Sequence, residues 1–209
     1  KYKLQIHAEY YQKVEHNLLC RQEANLKDIK YVRSHAQAIG QCQNMINELK
    51  FKTIISADTA GSAKDLSASK DKSIAAIASQ LSAEIYNLKI LKKNIEDESG
   101  NVTRFLIMGK NTQQPEFNKD KVFITTCIFR LKSEPSALYK CLGGFASNGV
   151  NITKLESYIH PQGFDVAQFY IDFEGHPDQK SVKLALEEMK FFCKQMTILG
   201  VYKKSDFRK

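Results

Sequence analysis

The chain opens with alternating apolar and polar positions, the pattern of a β-strand with one buried face. Leu4, Ile6 and Ala8 are separated by single polar residues, so a strand is predicted from the first positions onward. Lys1 is not an initiator methionine, and no turn residues precede the alternation. We therefore expect that a segment upstream of this strand is missing from the sequence as given.

Short strand and helix patterns then alternate through the first half of the chain. An apolar stripe at helical spacing predicts an amphipathic helix with Ser34 as its N-cap, ending near Leu49. Two shorter helices are predicted after Asp58 and over residues 79–86. The apolar runs between them predict strands at residues 14–20, 29–33, 52–57, 74–78 and 102–108. This alternation favours an α/β layer whose sheet is largely parallel.

The second half of the chain has a different order of elements. Residues 109–121 have almost no apolar content, which indicates a linker. We place the linker at 111–121, between a first domain at 1–110 and a second at 122–209. The elements after it follow the βαββαβ order of a ferredoxin-like sandwich, at residues 122–130, 136–148, 150–159, 168–173, 178–192 and 196–202. Gly149 follows the first of these helices, where a left-handed C-cap residue belongs.

Composition adds exclusions to this picture. Hydrophobic residues make up 43% and charged residues 26% of the 209 positions, which excludes a disordered tail and a collagen-like repeat. No apolar run is long enough to span a bilayer and no signal peptide is recognisable, so we expect a cytoplasmic protein without a membrane partner. The net charge of +8 is spread along the chain. This favours solvated surface charge over a nucleic-acid-binding face, although an anionic small molecule would be attracted.

Cysteine and histidine spacing gives no sign of a metal centre. The five cysteines include no Cys-x-x-Cys pair, and their odd number in a chain without a secretory signal predicts reduced, buried thiols. The five histidines are scattered and include no His-x-x-x-His pair. We therefore expect no bound metal.

Polar residues collect at three junctions of the kind where α/β sheets bind ligands, the strand ends and the helix N-termini. The junctions are residues 34–37 with Gln41 behind them, residues 58–61, and residues 101–105. Each offers hydroxyl, amide and backbone N–H groups, which together suit a small anion. Neither a Gly-x-Gly-x-x-Gly motif nor a P-loop is present, so a nucleotide is not indicated. Taken singly, each hydroxyl or carboxylate here also fits an ordinary helix cap.

Four segments, in order along the chain, resemble the motifs of prephenate dehydratases. They are Ser-His-Ala-Gln-Ala-Ile-Gly-Gln-Cys at residues 34–42, Asp-Thr-Ala-Gly-Ser-Ala at 58–63, Ala-Ala-Ile-Ala-Ser at 75–79 and Asn-Val-Thr-Arg-Phe at 101–105. The Thr-Arg-Phe triplet is that family's catalytic hallmark. Residues 122–202 resemble the family's ACT regulatory domain, so the resemblance covers essentially the whole chain.

The resemblance implies a fold and a reaction. The expected fold is α/β, with a two-lobed catalytic domain like a periplasmic binding protein, partial here because its N-terminal segment is absent, followed by a βαββαβ ferredoxin-like ACT domain. The implied reaction is the decarboxylating dehydration of prephenate to phenylpyruvate in phenylalanine biosynthesis. No cofactor is implied, since aromatisation of the ring drives the elimination. A homodimer or homotetramer is also implied.

The resemblance also assigns roles to individual residues. Thr103 would donate a hydrogen bond or proton to the leaving hydroxyl, and Arg104 would bind a substrate carboxylate through its planar fork of donors. Ser34, Gln41 and Thr59 would orient the substrate by neutral hydrogen bonds. The other residues expected at the substrate are His35, Asp58, Ala60, Gly61, Asn101 and Phe105.

The ACT-like segment departs from the family at two points. Ser136 stands where the family has glycine, and residues 156–159 read Glu-Ser-Tyr-Ile in place of Glu-Ser-Arg-Pro. L-phenylalanine is still the implied effector. The residues expected to contact it are Ser136, Ala137, Leu138, Asn151, Ile152, Glu156 and Ser157.

Two other functions fit parts of the pattern. The βαββαβ order also describes an RNA-recognition domain, whose base-stacking candidates here would be Phe164, Phe169, Tyr170 and Phe173. Alternation along the strand places Phe169, Ile171 and Phe173 on one face, which we expect to be core, so we expect no nucleic-acid partner. The second is a non-catalytic amino-acid sensor built from an ACT domain and a solute-binding-like lobe, against which the Thr-Arg-Phe triplet argues.

Overall fold

The computed structural model describes residues 3–110, 113–159 and 167–208, and within these ranges the fold is mixed α/β. The strands are β1 Leu4–Lys13, β2 Asn17–Cys20, β3 Tyr31–His35, β4 Lys52–Ser56, β5 Ile74–Ala78, β6 Lys89–Lys92, β7 Val102–Lys110, β8 Phe123–Leu131, β9 Ile152–Ile159, β10 Ala167–Glu174 and β11 Cys193–Lys203. The helices are α1 Ala36–Gly40, α2 Gln43–Glu48, α3 Thr59–Ala68, α4 Gln80–Ile85, α5 Ala137–Ser147 and α6 Lys180–Phe192. Among the described residues, no helix combines the length and the apolar character that crossing a membrane requires.

The chain forms two compact units, and their division does not follow the predicted boundary near residue 110. One unit is Gln12–Thr103, and the other joins Lys1–Tyr11 to Arg104–Lys209. The division falls inside β1 and β7, because both strands enter a sheet with strands from the second half of the chain. Of the predicted linker, residues 113–121 contain neither helix nor strand, and residues 111–112 lie outside the described ranges.

Unit Gln12–Thr103 is built on a five-stranded sheet with the order β4-β3-β5-β2-β6. β3 runs parallel to β4 and β5, whereas β2 runs antiparallel to β5 and β6. The sheet is therefore mixed rather than largely parallel, because β2 reverses direction and β6, a short strand that the apolar pattern did not single out, pairs with it. The strand predicted at residues 74–78 and the helix predicted after Ser79 are confirmed as β5 and α4.

The first predicted helix differs from the structure in its cap and its length. His35, not Ser34, is the N-cap of α1, and its Nδ1 accepts the N–H of Gln37 at 3.2 Å. Ser34 remains in β3, where its buried hydroxyl donates to the carbonyl of Ile77 at 2.7 Å. The helix also breaks near Cys42, after which α2 begins. The apolar spacing continues across the break, so the pattern alone predicts one helix.

The other unit contains the predicted βαββαβ arrangement. β11, β8, β10 and β9 are neighbours in antiparallel pairs, β1 joins β11 in parallel, and β7 lies outside β1. α5 and α6 pack on this sheet around a core of buried side chains that includes Phe129, Phe145 and Phe173. Gly149 follows α5 with φ +64°, which confirms the predicted left-handed position.

The aromatic residues of β10 belong to this core. Phe169, Ile171 and Phe173 are buried in it, so the predicted core face is confirmed. Phe169 stacks on Phe129 with ring centroids 5.2 Å apart. Phe164 lies outside the described residues. The described part of β10 therefore presents no base-stacking platform on this face.

Two neighbouring glycines of α5 differ in the space around them, so replacement by alanine should change the stability in opposite directions at the two positions. A Cβ at Gly144 would lie 2.8 Å from the Glu188 Cβ and also 3.2 Å from a backbone oxygen of α6, whereas a Cβ at Gly143 would meet no atom within 4 Å. Gly144→Ala should therefore lower the free energy of unfolding by about 1–3 kcal/mol through overpacking. Gly143→Ala should raise it by about 0.5–1 kcal/mol, because alanine favours a helix interior more than glycine does. Urea titration of both variants measures the difference, and changes of equal sign would contradict the close helix contact.

The five cysteines carry free thiols, and the Sγ atoms of Cys141 and Cys193 lie 3.9 Å apart. All are buried except Cys193, which is half-buried. Burial raises the pKa of the Cys42 thiol to about 12, and the nearby Asp97 carboxylate adds to the shift. This thiol is therefore protonated at neutral pH and acts as a small apolar side chain in the core.

Candidate active site

A cleft in unit Gln12–Thr103 brings together many of the predicted site residues. It has a volume of about 410 Å³ and lies where the parallel pair β3 and β4 ends at His35 and Ser56. The predicted residues that line it are His35, Gln41, Asp58, Thr59, Asn101 and Thr103. The other lining residues are Val14, His16, Gln37, Ala38 and Ala57. This position, at strand ends and next to helix N-termini, is where open α/β sheets bind ligands.

The start of α3 supplies one wall of the cleft. β4 ends at Ser56, and Asp58 caps α3 by accepting the N–H of Gly61 at 2.5 Å. A Cβ at Gly61 would come within 2.8 Å of the Asp58 carboxylate, so a residue without a side chain suits this close cap. Thr59 follows the cap and lines the cleft. Ala60 and Gly61 form the first turn of α3 and are not among the residues that line the cleft, so their contact with a substrate stays a prediction.

His16, which sequence reasoning missed, orients one of the predicted residues. It directly precedes β2, is 6% exposed, and its Nε2 lies 2.9 Å from the Gln41 Oε1. Because an amide oxygen only accepts, the His16 Nε2 carries the proton and donates, which leaves the Gln41 amide N–H groups for the cleft. The Glu96 carboxylate accepts the His16 backbone N–H at 3.0 Å. The available signal was a polar Glu-His-Asn triplet that leads into a fully buried strand.

The acidic run beside the cleft has a structural role. A second cavity of about 430 Å³ is lined by Gln41 and residues 96–101, among others. Asp97 accepts the backbone N–H groups of Gln43 and Asn44 at 2.8 and 2.9 Å and so caps the start of α2. These carboxylates fix the frame of the cleft. Across the described ranges, no group of three or more His, Cys, Asp and Glu side chains is arranged to hold a metal ion.

Thr103 brings a hydroxyl from β7 into the cleft. The strand start is tied down because the Asn101 carbonyl accepts the N–H of Val14 at 2.9 Å. Exposure alternates along β7, with Thr103 exposed and Arg104 half-buried. Successive side chains of a strand point to opposite faces, so Thr103 and Arg104 lie on opposite faces of β7.

Arg104 is not among the residues that line the cleft, and its side-chain donors bind groups of the protein, so its role at a substrate carboxylate stays a prediction. Its Nε donates to the Glu9 Oε2 at 2.9 Å, and its Nη1 donates to the Asp172 Oδ2 at 2.6 Å. Its Nη2 donates to the Tyr202 hydroxyl at 2.7 Å. Burial alone would lower the pKa of Arg104, but the nearby Tyr202 and Asp172 outweigh it and raise that pKa. The guanidinium is thus fully charged and occupied by protein acceptors.

Two further predicted residues lie outside the cleft. Ser34 is fully buried, and its hydrogen bond to Ile77 joins β3 to β5, so it supports the sheet rather than contacting a ligand. Phe105 is 52% exposed on the same face of β7 as Thr103, but it does not line the cleft. Both placements follow from the pleat of a strand, which decides the face that each side chain takes.

A cavity of about 440 Å³ lies at the start of α5 in the other unit. Among its lining residues are three of those predicted for an effector, Ser136, Ala137 and Leu138. Ser136 has φ +61°, in the left-handed region that a glycine adopts without strain. The remaining predicted effector residues do not line this cavity: Asn151, Ile152, Glu156 and Ser157. Along β9, Glu156 instead accepts the Tyr158 hydroxyl at 2.5 Å.

Comparison with known proteins covers nearly the whole chain. A family model described as prephenate dehydratase matches residues 1–113. A bifunctional N-acyl-homoserine lactone acylase/prephenate dehydratase of Komagataeibacter europaeus is 41% identical over 204 residues, covering 97% of this chain and 72% of that protein. A chloroplastic arogenate dehydratase/prephenate dehydratase of Arabidopsis thaliana is 35% identical over 212 residues, covering 97% of this chain and 55% of that protein. The chain thus spans little more than half the length of this plant relative.

A solved structure agrees with the expected fold class. The crystal structure of a prephenate dehydratase from Arthrobacter aurescens in complex with L-Phe has 30% sequence identity to this chain and a TM-score of 0.88. The match covers 99% of this chain and 68% of that one. The expected α/β fold class is therefore confirmed, and the second half of the chain has the expected βαββαβ order.

Proposed function

This chain belongs to the prephenate dehydratase family, and we propose that it acts in the decarboxylating dehydration of prephenate to phenylpyruvate. The observation that carries the proposal is the meeting of Thr103 with Gln41, Thr59 and Asn101 in one cleft. Prephenate has two carboxylates and a ring hydroxyl. A site for it therefore needs hydrogen-bond donors for anionic oxygens and one donor for the departing oxygen, and these side chains supply both.

The elimination needs positioned groups and one proton. The bond between the ring and its carboxylate breaks, carbon dioxide leaves, and the bonding electron pair enters the ring. The C–O bond to the hydroxyl breaks as the ring becomes aromatic. The departing oxygen takes up a proton and leaves as water, so atoms and charge balance without an oxidant or a reductant. The protein gains most by holding the substrate in one geometry away from bulk water.

The cleft residues divide these tasks. Thr103 donates a hydrogen bond to the departing oxygen. The Gln41 amide, held by His16, donates to a substrate carboxylate, and Thr59 and Asn101 provide further neutral donors. The N-terminus of the ten-residue helix α3 adds the positive end of its dipole at the same wall. In this arrangement neutral donors take the place that sequence reasoning gave to Arg104.

Turnover of prephenate by the full-length protein tests the proposed function. We expect phenylpyruvate and carbon dioxide in equal amounts, measured by the absorbance of phenylpyruvate and by carbon dioxide release. A non-catalytic amino-acid sensor would bind phenylalanine without turnover. The Komagataeibacter relative is also named as an N-acyl-homoserine lactone acylase. If this protein hydrolysed such lactones but did not convert prephenate, it would have the acylase activity and not the dehydratase activity. Either outcome would overturn the proposal.

We further propose that L-phenylalanine is an effector and binds in the cavity at the start of α5. The support is the cavity itself, lined by Ser136, Ala137 and Leu138, and the relative named in complex with L-Phe. Ser136 keeps the left-handed backbone that the family's glycine would adopt, so the loop into α5 retains its path. A serine there costs roughly 1 kcal/mol, a small term beside the binding of an amino acid.

Phenylalanine should raise the melting temperature of the protein. A ligand present at 100 times its Kd stabilises the folded state by about 2.7 kcal/mol. Leu138→Ala, in the cavity wall, should reduce the shift, whereas Leu184→Ala, an exposed leucine of α6, should leave it unchanged. Differential scanning fluorimetry across phenylalanine concentrations measures the effect. A flat melting temperature for the unaltered protein would remove this effector from the proposal.

We also propose that the protein self-associates as a homodimer through its ACT-like sheet. β9 is the outer strand of that sheet and carries the exposed side chains of Leu155 and Tyr158. An edge strand presents unpaired N–H and C=O groups, which a second copy can satisfy. Sedimentation of the full-length protein tests this, and a monomer at micromolar concentration would contradict it.

A further inference from the structure

Arg104 lies at the centre of a buried ion network in the unit with the six-stranded sheet. Its three donor nitrogens bind Glu9, Asp172 and Tyr202. The side chains of Glu9 and Asp172 are fully buried. Thr126 donates to the Asp172 Oδ1 at 2.6 Å and lies 2.8 Å from the Tyr202 hydroxyl. Four strands thus contribute one side chain each to the surroundings of Arg104: β1, β8, β10 and β11.

A second arginine completes the charge balance of this network. The Arg208 Nε lies 2.9 Å from the Glu9 Oε1, and its Nη2 lies 3.4 Å from the Asp172 Oδ2. The side chains of Arg104 and Arg208 are 16% and 14% exposed, so both arginines share the same carboxylates in similar surroundings. If Arg104 turned away to bind a ligand, the two fully buried carboxylates of Glu9 and Asp172 would share the single positive charge of Arg208. Uncompensated buried charge is strongly unfavourable, so the network holds Arg104 in place.

We propose that Arg104 is a positioning residue that fixes the hydroxyl of Thr103, the residue before it in β7. The inference rests on the proposed dehydratase function. The guanidinium is planar and is held by three acceptors, so it can take only one orientation. Because these hydrogen bonds hold the side chain, they also restrain the backbone of β7 at Arg104. The same strand carries Thr103 on its opposite face. A displacement of about 1 Å at a reacting group can cost roughly 100-fold in rate, so this restraint bears directly on turnover.

The two arginines separate a positioning role from a merely structural one. Arg104→Lys and Arg208→Lys both keep the positive charge and remove a fork of donors from the same buried carboxylates. Both should lower the melting temperature to a similar extent. Arg104→Lys alone should lower kcat for prephenate by about 10- to 100-fold with KM unchanged, because only Arg104 adjoins Thr103. Arg208→Lys should keep kcat within about twofold of the unaltered protein.

Kinetics and melting temperatures of the full-length variants decide between the roles. A raised KM with unchanged kcat in Arg104→Lys would overturn the inference, because that split marks a residue that binds substrate. Equal losses of kcat in both variants would also overturn it, because the loss would then follow stability. A fall in kcat confined to Arg104→Lys at matched stability supports it.

Hydrogen exchange gives a second readout that needs no turnover. The backbone amides of the peptide that contains Thr103 should exchange faster in the Arg104→Lys variant than in the Arg208→Lys variant. The amides of β5 should exchange at the same rate in both variants and serve as the internal reference. If the unaltered protein does not turn over prephenate, the proposed function fails while this contrast still tests the restraint. Identical exchange of the Thr103 peptide in the two variants would overturn the inference by itself.

Discussion

Thr103→Val should lower prephenate turnover by about 10²- to 10⁴-fold, the range typical of a positioned proton donor. Valine keeps the branched shape of threonine and removes only the hydroxyl. Because Thr103 is exposed in β7 and valine favours strands, the melting temperature should hardly change. Initial rates of phenylpyruvate formation at saturating prephenate measure the loss in kcat.

Thr53→Val is the matched control for this prediction. Thr53 is an exposed threonine in β4 of the same compact unit, and it does not line the cleft. Its replacement should leave both turnover and melting temperature near those of the unaltered protein. Turnover by Thr103→Val within about threefold of the unaltered rate would remove Thr103 from the chemistry, since a positioned donor contributes far more.

The elements that were predicted best are those whose signal lies within a short stretch of the sequence. β5 and α4 agree with their predictions because an apolar run followed by Ser79 marks both a buried strand and a helix cap. The βαββαβ order was recoverable because each helix has its own amphipathic stripe and Gly149 marks a helix end. The cleft was also foreseeable, since Asp58 and Thr59 follow one strand and the residues after His35 follow another.

The structure adds most to the sequence pattern where the outcome depends on residues that are distant along the chain. The pattern predicted β1 as a strand but could not tell which sheet it would join, and its pairing with β11 moved the boundary between compact units. Arg104 was assigned to the substrate because its residue type suits a carboxylate. Its face of β7 instead meets Glu9 and Asp172, which lie 95 and 68 residues away in sequence. Long-range pairing of this kind leaves no local trace in one sequence.

Gln41→Glu should lower kcat/KM for prephenate by about 10²- to 10³-fold at pH 7. The substitution replaces an amide donor by a carboxylate that faces a dianionic substrate, beside the Glu96 and Asp97 carboxylates at the same cavity. Two like charges about 4 Å apart repel by about 4 kcal/mol at an effective dielectric constant near 20. Steady-state kinetics at several pH values measure the effect. His16 can still donate to the introduced carboxylate, so the fold should be retained.

The pH dependence makes this prediction specific to charge. An ordinary glutamate has a pKa of about 4.3, and nearby carboxylates and the bound substrate favour its protonated form. Protonation restores a donor, so the defect of Gln41→Glu relative to the unaltered protein should shrink as the pH falls from about 8 to about 5. Gln41→Met, which has similar size and no charge, should lose only about tenfold, as expected for one hydrogen bond, and show no such recovery. A defect that grows toward low pH, or equal defects in the two variants, would mean that the Gln41 amide does not face an anionic group of the substrate.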